Sequence, residues 1–313
     1  MKKLSEMVDA VKDYPVKRVA VAAAADTTVL EAVKMAIEQE VAIAVLVGDA
    51  KGIAECAEQV GLRLGESDVI DEPIPERAAL KAAELVSTGV ADVMMKGQIH
   101  TDDFLRAVLD KQVGLRTGNR MSHVFACEME SFDRLIMVTD AAMNVAPTLE
   151  AKAEILLNAD YFCSVIGLTL PRVACLAAVE VLRPDMGATV DAACLATMAN
   201  RNQYAPMCIV DGPFALDNAV SVAAAKNKRI GGPVAGRADV LLVPDIEAGN
   251  MLVKAFVYGA GAKVAGVVLG AKAPVVLTSR ADSAESKFYS IAAAVLTSGV
   301  VRALRLKVGK VHY

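Results

Sequence analysis

The sequence predicts an α/β fold with a largely parallel sheet. Short continuous apolar runs of strand length alternate with helical patterns along almost the whole chain, as expected for strands buried on both faces by crossover helices. Of the 313 residues, 55% are apolar and 22% charged, ample material for a buried core and enough chain for about two domains at roughly 150 residues each. Aromatic residues make up only 4%, with no Trp, so burial rests on aliphatic side chains.

The first strand reads as Arg18 to Ala23 and the first helix as Thr28 to Gln39. Thr28 with Glu31 has the spacing of a capping box, and Leu30, Val33 and Ile37 recur on one face. A second strand follows from Val41 to Val47. Later strands are expected at Asp92 to Met95, Val124 to Cys127, Leu135 to Val138, Val173 to Ala178, Met207 to Val210, Val240 to Val243, Val264 to Leu269 and Val275 to Leu277. There is no fixed-period repeat, low-complexity tract or long polar linker. Turn residues are densest at Gly114 to Asn119 and Gly266 to Pro274, which makes these the candidate crossings between two domains, with the middle segment inserted into a domain built from both chain ends.

Charge and composition exclude several classes. Lys plus Arg number 33 and Asp plus Glu 37, a net charge of −4, so no whole-molecule basic field exists to hold a nucleic acid. Mean hydropathy is +0.41, yet the longest stretch without a charge runs only from Phe288 to Val301, short of the roughly 18 residues of a spanning helix. Glu6 and Asp9 follow Lys2 and Lys3 before any apolar run, so no secretory signal is expected and the location is read as cytoplasmic. Cys56, Cys127, Cys163, Cys175, Cys194 and Cys208 lie in mostly apolar settings with no C-x-x-C and read as reduced, buried thiols. The dinucleotide, Walker and nucleophile-elbow glycine patterns and H-E-x-x-H are all missing, and His100, His123 and His312 are too scattered for a metal cluster.

Ligands of parallel α/β sheets bind outside the carboxyl ends of strands. Five strand ends turn polar at once: Met95-Lys96-Gly97 running to His100, Val138-Thr139-Asp140, Val210-Asp211-Gly212, Val243-Pro244-Asp245, and Leu277-Thr278-Ser279-Arg280-Ala281-Asp282-Ser283. In the last, a hydroxyl, a guanidinium and a carboxylate arrive within four residues of a helix expected from Ser283 to Leu296. The open N–H groups and positive dipole end of that helix, with a forked Arg280, suit a phosphate. The alternative is a surface ion pair of Arg280 with Asp282 or Glu285, with Ser283 only a cap. Near Lys96, Thr101 is placed to cap a helix carrying Asp102, Asp103, Leu105 and Val108. Arg106, Arg116 and Arg120 either gather there for a polyphosphate or form a solvated flank.

These residues together resemble a known family. Ala273 to Ser283, Val113-Gly114-Leu115-Arg116-Thr117-Gly118 with Met121-Ser122-His123, Asp211-Gly212-Pro213 with Ala215-Leu216-Asp217, and Pro233-Val234-Ala235-Gly236 through Asp239, Pro244-Asp245 and Glu247 to Gly249-Asn250 resemble the phosphate butyryltransferase branch of the phosphotransacetylase family. The resemblance covers nearly the whole chain. It implies two parallel-sheet α/β domains with a cleft between them, similar to isocitrate and isopropylmalate dehydrogenases: 1–118 plus 268–313 as the first domain and 119–267 as the inserted second, in a homodimer or larger homo-oligomer. It also implies reversible transfer of a short acyl group between coenzyme A and inorganic phosphate, with no cofactor beyond these substrates, no metal and no nucleic-acid or membrane partner.

By the same resemblance Ser279 orients the reacting groups, Arg280 holds phosphate and stabilises the transition state, and Arg106 contacts coenzyme A. Lys96, Gly97, His100, Thr101, Ser283, Asp211, Asp245 and Asn250 are further candidates for substrate or coenzyme A contact. Where the acetyl branch carries a catalytic Asp, this sequence has Ser286, which leaves the proton to Asp282, favoured for its place beside the Ser-Arg pair, to Glu285, or to phosphate itself. The alternatives weighed are a phosphate acetyltransferase of the same mechanism, a non-catalytic module that senses acyl-coenzyme A, and a nicotinamide-dependent dehydrogenase on the related fold.

Overall fold

A computed structural model describes residues 1–65, 68–204 and 207–304. His312 and the last residues assigned to the first domain lie outside the described residues. Packing divides the chain into two units, one of Leu4–Asn119 with Val264–Leu304, the other of Arg120–Lys263 with Met1–Lys3.

In the first unit the strands are β1 (Lys17–Ala22), β2 (Ala42–Gly48), β3 (Val69–Asp71), β4 (Val93–Lys96), β10 (Lys263–Leu269) and β11 (Val275–Val276). They lie side by side in the order β3-β2-β1-β4-β11-β10. All neighbouring pairs are parallel except β10 with β11, where Val268 opposes Val275. Helices α1 (Ser5–Val11), α2 (Thr27–Glu38), α3 (Ala50–Val60), α4 (Pro75–Ser87), α5 (Thr101–Val108) and α11 (Ala284–Leu304) complete it. Phe288, Ile291 to Leu296 and Thr297 of α11 are buried, and α11 packs on α1 and α2. Ser290 Oγ accepts a 2.9 Å bond from Gly266 N, which ties this helix to β10.

In the other unit the strands are β5 (Ser122–Glu128), β6 (Ile136–Thr139), β7 (Arg172–Leu176), β8 (Ile209–Phe214) and β9 (Val240–Leu242), in the order β5-β6-β9-β7-β8. Only the β5–β6 pair is antiparallel. Helices α6 (Leu149–Val165), α7 (Gly187–Asn200), α8 (Leu216–Val220), α9 (Val222–Asn227) and α10 (Ile246–Lys254) belong to it, and α10 runs on into a π-helical turn, Ala255–Gly259. Asp239, 3% exposed, accepts from Arg172 N, Nε and a terminal guanidinium nitrogen at 2.8–2.9 Å, binding the entry of β7 to that of β9.

The mixed α/β class and mostly parallel pairing agree with expectation, but several local expectations are corrected. The cap of α2 is Asp26, whose Oδ1 accepts from Val29 N at 2.9 Å, so the helix starts one residue before Thr28 and the Thr28–Glu31 pattern lies inside it. Ile37 is 41% exposed, because the buried face is carried by Val29, Leu30, Ala32, Val33 and Ala36 instead. Thr101 is the first residue of α5 rather than its cap; His100 takes the cap position with no side-chain cap bond. Met207, expected in a strand, precedes β8 and is 73% exposed. Cys127, Cys163, Cys175 and Cys208 are buried, whereas Cys56 and Cys194 are half-buried. The short β3 is not among the expected strands, since two half-buried residues followed by an exposed Asp71 leave no apolar run to read. No helix among the described residues is long and apolar enough to cross a membrane.

Candidate active site

The site in the first unit is made by two adjacent parallel strands that end on the same side. Val275 and Val276 of β11 pair with Met94 and Met95 of β4, so Lys96-Gly97 and Leu277-Thr278-Ser279-Arg280 leave the sheet together. Beside them β1 ends at Ala22, and the chain turns through Ala23 at φ 52°. Gly97 N donates to Ala22 O at 2.8 Å and Gln98 N to Ala23 O at 2.7 Å. A Cβ on Gly97 would stand 2.3 Å from Ala23 O and 2.6 Å from Ala22 O, so this approach of two backbones requires glycine.

The loop after β11 holds itself in shape. Asp282 Oδ2 accepts from Ser279 N at 2.7 Å, Asp282 N returns a bond to Ser279 O at 3.2 Å, and Ser279 Oγ accepts from Ala281 N at 3.3 Å. Ser279 and Arg280 are left exposed at its tip. Ser283 Oγ accepts from Ser286 N at 3.1 Å, so Ser283 caps α11, which begins one residue after the expected start. Glu285, in the first turn, is half-buried and complements the helix dipole, and Ser286 is half-buried.

Lys96 and Lys287 are each only 3% exposed. Lys96 Nζ donates to Gly97 O at 3.4 Å, and Lys287 Nζ donates to Asp282 O. Burial pushes the Lys96 ammonium below the ordinary lysine range, and the charges of Arg280 and Lys287 push it further, against the opposing pull of Asp26 and Asp282. Lys287 is likewise lowered by burial, with Asp282 and Asp26 opposing. A site of three cations and two carboxylates, set against the N-terminus of α11, attracts an anion.

Sequence reasoning missed Lys287 and Asp26. The available signal for Lys287 was a cation one turn inside a helix that then carries no charge from Phe288 to Val301. Asp26 was hidden by the assignment of the α2 cap to Thr28.

Other candidates stand apart from this cluster. His100 and Thr101 are exposed at the start of α5. Arg106 lies on the exposed flank of α5 and pairs with Asp103 Oδ1 at 2.8 Å. In the other unit, Asp211 lies within β8 rather than at a strand end, accepts from Gly212 N at 2.8 Å, and is raised by burial. Asp245 caps α10 through Ala248 N at 2.8 Å, and Asn250 is exposed on that helix with Nδ2 3.4 Å from Ala141 O. Asp140, buried after a cis Thr139–Asp140 peptide, accepts from Ala142, Met143 and Asn144 backbone N–H groups; burial raises its carboxyl against these bonds. Among the described residues no group of His, Cys, Asp and Glu could hold a metal ion.

A parallel α/β unit whose strand ends collect buried lysines, an exposed arginine and a helix N-terminus is built like a protein that handles phosphoryl groups. Residues 70–295 match the phosphate acetyl/butaryl transferase family, and the chain belongs to it. It is 48% identical over 299 residues to a phosphate butyryltransferase of Clostridium acetobutylicum, covering 96% of this chain and 99% of that one. It is also 48% identical over 276 residues to a phosphate acetyltransferase of Thermotoga maritima, covering 88% and 93%. Its fold is similar to the crystal structure of a branched-chain phosphotransacylase from Enterococcus faecalis V583, with a TM-score of 0.78, 32% identity, and coverage of 90% and 99%.

Proposed function

We propose that this chain catalyses reversible transfer of a short acyl group between coenzyme A and inorganic phosphate, with butyryl-coenzyme A and phosphate giving butyryl phosphate and coenzyme A. The observation that carries the reading is the near full-length likeness to the Clostridium acetobutylicum phosphate butyryltransferase. An exposed Arg280 beside two buried lysines supports it chemically. Phosphate attacks the thioester carbonyl directly, and no cysteine forms a covalent intermediate. Arg280 forks onto the phosphate oxygens and follows the charge that develops on the carbonyl oxygen. Ser279 orients the reacting groups, and Asp282 holds Ser279 in place through its backbone N–H.

Glu285 and Ser283 belong to the same loop and first turn. Gly97 stands at the end of β4 beside that loop, His100 and Thr101 at the start of α5 are candidate coenzyme A contacts, and Arg106 turns from Asp103 to the phosphates of coenzyme A. Asp211, Asp245 and Asn250 are the candidate substrate contacts of the other unit. The division into 1–118 plus 268–313 and an inserted 119–267 belongs to this proposal and is supported by the two packing units. So do a homodimer or larger homo-oligomer, a cytoplasmic location matching coenzyme A as substrate, and a reaction that needs only its two substrates.

The test is release of free thiol from acetyl-, butyryl- and hexanoyl-coenzyme A with and without phosphate, in chelator-treated buffer. Phosphate-dependent release fastest with butyryl is expected; no phosphate-dependent release with any of the three overturns the proposal. A phosphate acetyltransferase is the second reading, favoured by the equal 48% identity to the Thermotoga maritima enzyme, and release fastest with acetyl would select it. One methylene in an apolar pocket discriminates by only about 1–3 kcal/mol, so neighbouring chain lengths should also react.

A further inference from the structure

Two ammonium groups removed from water in one site are an expensive arrangement. Burial disfavours the charged form of each, and the Lys287 charge further disfavours that of Lys96. Such a pair is ordinarily compensated by carboxylates, yet the hydrogen bonds of Lys96 and Lys287 run to the backbone carbonyls of Gly97 and Asp282. Among the described residues no carboxylate lies within ion-pair distance of either ammonium. The charged groups acting on the pair are Arg280 and Asp282 from the loop after β11 and Asp26 from the loop after β1. The Asp282 carboxylate is itself bonded to Ser279 N, and Asp26 Oδ1 to Val29 N. Among the described residues Asp26 and Asp282 offset the three cations only from beyond ion-pair distance of the two lysines, and the further negative charge the cluster accepts is that of a phosphate, at the strand ends and helix N-terminus where such a group binds.

We propose that Lys96 and Lys287 are a catalytic cation pair, seating the doubly charged phosphate beside Arg280 and carrying the proton from phosphate to the departing sulfur. This rests on the reading of the site as one for acyl transfer to phosphate. An oxygen of hydrogen phosphate attacks the thioester carbon; the new C–O bond forms, and the C–S bond breaks with its electron pair leaving on sulfur. One ammonium gives its proton to the thiolate. The amine so formed takes the proton that the acyl phosphate still carries, so the pair is restored and no further reactant is consumed. Burial holds both lysines below their ordinary range, which eases loss of a proton from the ammonium to the thiolate. In this scheme Lys287 contributes chemistry beyond bracing the loop, and the proton passes through an amine instead of Asp282 or Glu285.

The experiment is calorimetric titration of the full chain with sulfate, which carries two charges and no exchangeable proton, over a pH series from neutral up to about 10, just below the ordinary lysine value, in buffers of different ionisation enthalpy. The protein as it stands should take up protons on binding sulfate, because the anion restores the charged form of the pair. Lys96→Met and Lys287→Met, checked for folding by circular dichroism, should each weaken sulfate about tenfold or more and abolish most of the uptake. Lys287→Arg, which keeps the charge but cannot shed it, should retain sulfate binding within about threefold, lose only the share of the uptake that belongs to Lys287, and lower kcat far more than it raises KM for phosphate. Sulfate binding without proton uptake in the unaltered chain, or uptake unchanged in both Met variants, overturns the proposal. A brace alone would lower kcat without changing proton uptake. Thiol release by a chain that shows no uptake would reject the pair and leave the acyl transfer standing, whereas uptake without thiol release would reject the acyl transfer itself.

Discussion

Lys96 closes a strand of otherwise apolar residues, Val93-Met94-Met95, and its ammonium is held below its ordinary value of 10.5, by burial first and by Arg280 and Lys287 next. While charged it costs stability. Between the depressed folded value and the unfolded one, the unfolded chain binds more protons, so stability rises with pH through that window. Lys96→Met removes the buried charge at similar volume and is expected to raise Tm by about 2–4 °C at neutral pH, with activity lost. The advantage should close as pH climbs through the window; thermal unfolding from neutral to alkaline pH checks both signs, and a lower Tm at neutral pH would contradict them. Arg280 is the opposite case, exposed and free of any packing duty. Arg280→Ala should lower kcat/KM by about 10²-fold or more with Tm unchanged, and near-normal turnover would remove this loop from the mechanism.

Helix starts were legible in kind but displaced in place. Thr28 with Glu31 satisfies the spacing of a capping box, yet Asp26 caps α2 because the turn after Ala23 brings its carboxylate to Val29 N. Asp26→Ala should therefore cost about 1 kcal/mol by denaturant unfolding and Thr28→Ala far less; the reverse order would restore the capping box. Ser283 behaves as its sequence suggests, as the cap of α11. The strand read at Val275 to Leu277 is present as the two-residue β11, and what no local pattern contains is its partner, Met94 and Met95 of β4. The polar residues after β11 were readable as a phosphate loop from the order hydroxyl, guanidinium, carboxylate, helix. The self-bracing role of Asp282 was not, since Ser279 N and the carboxylate meet only once the turn is made.

Over the whole molecule, a ligand that binds only the folded chain stabilises it by mass action. Inorganic phosphate at a hundred times its Kd should add about 2.7 kcal/mol to unfolding, and the gain should shrink in Lys96→Met and Lys287→Met. A gain of the same size in both variants would place the anion elsewhere. The α/β class, the mostly parallel pairing and the Ser279-Arg280 loop were determined by the sequence alone, because apolar runs, helical periodicity and a polar strand end are written in neighbouring residues. Which strands would adjoin was decided by tertiary structure: β4 and β11 lie about 180 residues apart, yet their pairing delivers Lys96 to the Ser-Arg loop. The burial of Lys96 and Lys287 was decided there too. A lysine's charge is local information, but its distance from water depends on every element packed around it.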